Sequence, residues 1–168
     1  TVTVTDGLTP LTQDITVNVN NLNDNDPIFT SDATFSANEN QTAVGTVTGS
    51  DADGDSYTFT ISGSELAITS AGVLTLVSAP DYETKTSYTA TVTITDGVNS
   101  LTQDITVNIN DIDDNAPAFT SSASFSADEN QTAIGTVIVT DVDTLDTSSS
   151  FTFAVSGSEL AIDSDGVL

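Results

Sequence analysis

The chain contains no Cys, His, Met or Trp, and its single basic side chain is Lys85. Without Cys there can be no disulfide and no thiolate ligand. Without His as well, metals that favour sulfur or imidazole are excluded, and nucleophile–histidine catalysis has no parts. One Lys or Arg stands against 25 Asp and Glu, a formal net charge of −24. A surface of that sign repels nucleic acid and anionic membrane, so neither is expected as a partner. No apolar run in the 168 residues is long enough to span a bilayer, so no membrane insertion is expected. There is no leader peptide, but Thr1 to Gly7 already has the pattern of a strand. The chain therefore reads as a window of a longer protein, and the missing leader says nothing about export.

What is present is repetition. Asp6 to Val47 aligns without a gap on Asp96 to Val137 at an offset of 90, with 29 of 42 positions identical. Ser62 to Ile68 recurs as Ser156 to Ile162 at an offset of 94, which places a four-residue insertion around Thr144 to Ser150. The expected organisation is the tail of one repeat (1–26), a complete repeat (27–116) and the front of a third (117–168).

Hydrophobic content is 37%, mostly Val, Ile, Phe and Ala alternating with Thr and Ser. Period-2 alternation predicts half-buried strands at 33–37, 43–50, 57–62, 66–69, 73–77, 87–95 and 101–109. Asp96 to Asn99 reads as a hairpin turn. Seven short strands in about 90 residues, with no helical periodicity, predict an all-β fold of tandem antiparallel β-sandwiches.

The acids do not scatter over solvent-facing strand positions. They gather in loops: Glu39, Asp51 and Asp53, Asp81 and Glu83, Asp96, then Asp111, Asp113 and Asp114. Counting strand reversals brings Asp51, Asp53 and Asp96 to the segment 20–27. The same count brings Glu39, Asp81 and Glu83 to the segment 110–117, where the next repeat adds Asp141 and Asp143. Eight carboxylates then face one gap at 110–117. Like charges about 4 Å apart cost roughly 4 kcal/mol at an effective dielectric of 20, so cations are required. An all-oxygen, flexible ligand set suits Ca²⁺.

These segments carry a resemblance. Asn23 Asp24 Asn25 Asp26 Pro27 Ile28 Phe29 and Asp113 Asp114 Asn115 Ala116 Pro117 Ala118 Phe119 resemble the DxNDNxPxF linker of cadherin-type repeats, with Asn21 and Asp113 as single departures. Ala37 Asn38 Glu39 Asn40 resembles that family's glutamate motif, Asp51 Ala52 Asp53 its DxD, and Asp81 Tyr82 Glu83 its DxE, all in the family's order. The chain thus resembles a cadherin-type tandem array of the kind found in large bacterial surface adhesins.

The resemblance implies seven-stranded Greek-key (Ig-like) sandwiches joined by Ca²⁺-binding linkers. At 110–117 it implies that Glu39 and Glu83 bridge two Ca²⁺ ions. Asp81 and Asp114 would bind the outermost, and the Ile112 carbonyl its neighbour. Asp143 would link that neighbour to a third ion, completed by Asp113, Asp141 and the Asn115 carbonyl. Asp111 belongs to the same acidic segment. At 20–27 it implies Asn23, Asp24, Asn25, Asp51, Asp53 and Asp96 as ligands. Asp113, where the family has Asn, adds charge.

Several other features read as structural. Asp163 to Gly166 is expected to be a plain turn, Tyr82 to pack over the neighbouring linker, and Lys85 to sit on the surface. Asn40 and Asn130 head N-glycosylation sequons by pattern. No enzyme is expected. The function expected is Ca²⁺-rigidified extension and adhesion at a cell surface or in the extracellular space, in attachment or biofilm. Partners would be Ca²⁺, neighbouring repeats, and identical chains or a surface ligand. The alternative is a structural subunit of an extracellular filament or surface layer with lateral contacts between repeats.

Overall fold

The all-β expectation drawn from alternating Val, Ile and Thr is borne out by the strands observed. A computed structural model describes residues 1–143 and 151–168, and among these there is no helix. The first copy contributes a hairpin, β1 (Val2–Thr5) and β2 (Pro10–Gln13). The complete copy contributes β3 (Ile28–Phe29), β4 (Thr34–Asn38), β5 (Ala43–Thr46), β6 (Gly49–Ser50), β7 (Thr58–Ile61), β8 (Leu66–Ile68), β9 (Val73–Leu76), β10 (Ser87–Thr95) and β11 (Ser100–Asn110). The third copy contributes β12 (Ala118–Phe119) and β13 (Val139–Thr140). The four-residue insertion placed at 144–150 lies outside the described residues.

The complete copy is a two-layer sandwich. One sheet has the order β4-β11-β10-β7, the other β5-β9-β8, with the short pair β3-β6 beside them. All pairings are antiparallel except β11 with β4, where Thr106 faces Thr34 and Asn110 faces Asn38 in a parallel register. That pair lets the first strand of the sandwich run beside the last, a connection that a chain of simple hairpins would not make. Alternation did not reveal that the segments at 28–38 and 43–50 each change partner midway. β3 pairs with β6, whereas β4 joins β11 and β5 joins β9. Counting each split segment as one path recovers seven.

The core is the inward set of both layers. Val92 and Ile94 from β10 and Ile105, Val107 and Ile109 from β11 pack against Leu66, Leu74 and Leu76 of the opposite sheet. Leu101, expected on the inward face, is exposed at the hairpin end of β11. Gln103, the polar entry on that face, is half-buried.

The turn between β8 and β9 shows how local chemistry fixes the second layer. The Thr69 hydroxyl accepts the Val73 N–H at 3.1 Å, and Gly72 sits at φ +89°. In the third copy Asp163 accepts the Val167 N–H at 2.9 Å and Gly166 takes φ +81°. Asp163 therefore does the work of Thr69 in a plain turn. A Cβ on Gly72 would lie 2.2 Å from the Val47 carbonyl oxygen, whereas one on Gly97 (φ +95°) meets nothing within 4 Å. Gly97→Ala is expected to cost only backbone strain, about 1–3 kcal/mol. Gly72→Ala adds a backbone clash and should destabilise clearly more. Urea denaturation of the two variants checks this; equal losses would contradict it.

Candidate metal centre

The turns at each end of the sandwich bring the acids together. At one end, Glu39 follows β4 and is only 2% exposed. Its Oε2 accepts the Tyr82 N–H at 2.9 Å and its Oε1 accepts the Ile112 N–H at 2.8 Å. The Asn40 N–H donates to the Pro80 carbonyl at 3.0 Å, and the Asn40 carboxamide donates to Asp114. One buried carboxylate thus joins the loop after β4, the loop before β10 and the segment leaving β11.

Across the junction, Asp143 of the third copy is 1% exposed. Its Oδ2 accepts the N–H groups of Asp114 at 3.1 Å and Asn115 at 2.9 Å, and its Oδ1 accepts the Asn115 amide at 3.0 Å. The same amide nitrogen donates to Asp114 at 2.8 Å and to Glu83 at 3.3 Å. Three carboxylates surround a neutral amide, which orients them and cannot neutralise them.

Two overlapping acidic triads result. Carboxylate oxygens of Glu39, Glu83 and Asp111 lie within 4.8 Å of one another, and so do those of Glu83, Asp114 and Asp143. Glu83 is common to both. Asp81 stands apart from either triad: its carboxylate accepts the Thr84 N–H and hydroxyl, at 3.3 and 2.9 Å. Asp113 is exposed and lines an apolar cleft of the third copy. Asp141 accepts the Asp143 N–H at 3.2 Å through Oδ1, and its Oδ2 is buried without a hydrogen-bond partner. Five of the eight carboxylates expected in this gap therefore form the triads.

The junction at 20–27 repeats the downstream half. Asp53 Oδ2 accepts the N–H groups of Asp24 at 3.0 Å and Asn25 at 2.8 Å, and Asp53 Oδ1 accepts the Asn25 amide at 2.7 Å. The Asn99 amide reaches the Asn25 carbonyl at 3.2 Å. Asn23 Oδ1, Asp51 Oδ2 and Asp96 Oδ2 are buried there without hydrogen-bond partners. Buried polar oxygens are rarely left so, and bare carboxylate oxygens are what a hard cation needs. The donor set, all oxygen, fits Ca²⁺ at both junctions. Sequence reasoning passed over Asp55, whose carboxylate groups with those of Asp51 and Asp53. Its signal was the third Asp of Asp51 Ala52 Asp53 Gly54 Asp55.

Lys85 gives these acids nothing. Its ammonium pairs with Glu65 at 2.6 Å and stands 4.3 Å over the Tyr88 ring. Tyr82 packs partly buried against the sandwich core.

The electrostatics separate the shared glutamate from the aspartates. Burial, then the charges of Glu39, Asp111 and Asp143, raise the pKa of Glu83. The Asn115 amide lowers that of Asp143, the Asn25 N–H that of Asp53, and the Asn99 N–H that of Asp96. A raised carboxylate pKa means the folded state holds its proton more tightly than the unfolded chain, so stability falls as pH rises through that window. A lowered one contributes stability that is present above the unfolded value and lost as pH falls through the folded one. In Ca²⁺-free buffer, acidification from neutrality should first stabilise the chain as Glu83 takes its proton. It should then destabilise it, below the ordinary aspartate value of 3.8, as Asp53, Asp96 and Asp143 protonate. Melting temperature against pH in chelator checks this; a monotonic fall from neutrality would contradict it.

A two-layer sandwich whose first long strand runs parallel beside its last, with acid-lined ends, defines a class: tandem β-sandwich repeats of cadherin-like fold. No family model matches the chain. It is 32% identical over 146 residues to mouse Cadherin EGF LAG seven-pass G-type receptor 1, covering 77% of this chain, and 37% identical over 139 residues to human Protocadherin Fat 1, covering 71%. The matched stretch spans only 5% and 3% of those proteins. Among solved structures, mouse Cadherin-23 EC22-24 superposes with a TM-score of 0.68 at 23% identity, over 87% of this chain and 54% of that one. The human Desmocollin-1 ectodomain gives 0.61 at 25%, over 75% and 28%. The chain carries cadherin-like domains.

Proposed function

We infer that the chain is a stretch of Ca²⁺-rigidified extension and adhesion repeats from a large extracellular or cell-surface protein of the adhesin type, serving attachment or biofilm. The observation that carries this reading is Glu83, shared by two carboxylate triads that no basic side chain neutralises. At 110–117 the ligands are Glu39, Asp81, Glu83, Asp111, the Ile112 carbonyl, Asp113, Asp114, Asn115, Asp141 and Asp143. At 20–27 they are Asn23, Asp24, Asn25, Asp51, Asp53 and Asp96.

Ca²⁺ supplies charge neutralisation. The chain's own residues supply the joint. Glu39 ties the linker to its own repeat, and Asp143 ties the same linker to the next one. With the charges neutralised, those two ties act together and the junction resists bending. With them bare, repulsion opposes both. The cadherin-like fold supports the reading, as do the buried, partnerless oxygens of Asn23, Asp51 and Asp96. The test is Ca²⁺ withdrawal, read by melting and by small-angle scattering. Identical melting and identical scattering with and without Ca²⁺ would sink it.

A further inference from the structure

Glu83 belongs to both carboxylate triads, where Glu39, Asp111, Asp114 and Asp143 all repel it. Its side chain is exposed, and the hydrogen bond it accepts from the Asn115 amide is long, at 3.3 Å. Its place is therefore set by the backbone that carries it. That backbone is a closed turn between β9 and β10. The Thr84 and Lys85 N–H groups donate to the Asp81 carbonyl at 3.2 and 2.9 Å, and the Asp81 carboxylate accepts the Thr84 hydroxyl at 2.9 Å. One side of the turn is tied to the junction. The Tyr82 N–H donates to Glu39, and the Pro80 carbonyl accepts the Asn40 N–H. Both ties lead back to the charged centre, since Glu39 is a triad member and Asn40 donates to Asp114.

The other side is tied to the sandwich by Lys85, two positions after Glu83 and the single basic side chain of the protein. Its ammonium lies 2.6 and 2.8 Å from the two Glu65 carboxylate oxygens and 4.3 Å over the Tyr88 ring. Glu65 directly precedes β8, and its carbonyl accepts the Val77 N–H at 2.9 Å. Tyr88 lies on β10 and packs against the core. Strands β8 and β10 belong to opposite sheets, so one side chain fastens the turn to both layers. Facing Glu65, the ammonium does not neutralise the triads. What it holds is the backbone from which Glu83 projects.

We propose that Lys85 is a positioning residue for the metal centre at 110–117: by fastening the turn 81–85 to both sheets, it keeps Glu83 between the two triads before a cation arrives. The proposal rests on the Ca²⁺ reading above. Without the fastening, the turn populates positions in which Glu83 has moved away from its like-charged neighbours. Apparent affinity then falls with the fraction of molecules that keep the competent arrangement. Partly exposed ion pairs are weak, so the expected loss is about two- to five-fold in dissociation constant. The sign separates positioning from plain electrostatics. Lys85→Met removes a positive charge near the acids, which by Coulomb attraction alone tightens Ca²⁺ binding. Glu65→Gln removes a negative charge, which alone loosens it. Loss of a fastening loosens it in both.

The experiment is a Ca²⁺ titration of the full chain followed by NMR. The amides of Ile112 and Asn115 report the junction at 110–117, and those of Asp24 and Asn25 the junction at 20–27. Lys85→Met and Glu65→Gln should each weaken binding about two- to five-fold at the first junction and leave the second unchanged. The double variant should be no worse than either single one, because the pair is lost once. Lys85→Arg, which can make the same fork to Glu65, should restore native binding. In Ca²⁺-free buffer the Tyr82 and Lys85 amides should exchange with solvent faster in Lys85→Met and Glu65→Gln, while the Val92 and Ile94 amides of β10 should not. Tighter binding in Lys85→Met, equal weakening at both junctions, or unchanged exchange at Tyr82 and Lys85 would each overturn the proposal. A native chain with no response to Ca²⁺ would instead remove the Ca²⁺ reading itself. The exchange measurement, made without the ion, still decides whether Lys85 holds the turn.

Discussion

Excess chelator at neutral pH is expected to lower the melting temperature of the Ca²⁺-loaded chain by about 12–24 °C and to broaden its scattering-derived shape. The magnitude follows from linkage. Extracellular sites bind Ca²⁺ with dissociation constants of roughly 10⁻⁴–10⁻³ M. At the tight end, about 1 mM free Ca²⁺ gives roughly 1.4 kcal/mol per ion. Two ions on the triads of Glu83 together give about 3 kcal/mol. A domain of about 90 residues shifts by about 4–8 °C per kcal/mol. The broadening has a separate cause. Asp143 and Glu39 hold opposite sides of one short linker, and both sit beside unneutralised carboxylates. Stripped of cations, the junction is a charged hinge, and the angle between neighbouring repeats should spread. Mg²⁺ at the same concentration should restore much less, because it demands a tighter octahedron and keeps its water. Equal rescue by both ions would point to general screening and away from a built site.

Glu39→Gln should be far more damaging than its small change in shape suggests. Both Glu39 oxygens accept backbone N–H groups, from Tyr82 and from Ile112. A carboxamide must turn its NH₂ toward one of these donors, leaving a buried N–H without an acceptor. The cost is about 1–3 kcal/mol, and one carboxylate of the first triad loses its charge. The expected result is a destabilised chain that takes up fewer Ca²⁺ ions in calorimetric titration. The sites at 20–27 should keep their affinity, because Glu39 is bonded to Tyr82 and Ile112 and grouped with Glu83 and Asp111, all at the other junction. If the variant binds the full complement of Ca²⁺ with unchanged stability, Glu39 is neither the strut nor a ligand.

Legibility in the sequence depended on how local each feature is. Strands β10 and β11 were readable because Tyr88 to Ile94 and Gln103 to Ile109 alternate strictly over long runs. The changes of partner within 28–38 and 43–50 were not, since a change of sheet leaves no mark on period-2 alternation. Gly49 carries a trace. A Cβ there would lie 2.4 Å from Ile94 Cδ1, so the short pair β3-β6 crosses where β10 is crowded. The acids were readable as loop clusters, and strand counting sent each to its end of the sandwich. Their division of labour was not readable. Asp81 and Glu83 share one motif, yet Asp81 turns back onto Thr84 while Glu83 joins both triads. Nor could the sequence show that Asn40, which heads a glycosylation sequon by pattern, takes φ 62° and donates to Asp114.

The acidic junctions themselves divide in the same way. Composition and spacing alone determined that this is an all-β repeat array with oxygen-rich ends and no basic counterweight, because charge count and period are properties of the chain. Only the tertiary structure decided which oxygens are spent on backbone N–H groups, as in Glu39, Asp53 and Asp143, and which stay bare, as in Asp51, Asp96 and Asp141. That partition depends on where three loops from two repeats meet, and so on the parallel seating of β4 against β11, a contact between residues more than 70 positions apart.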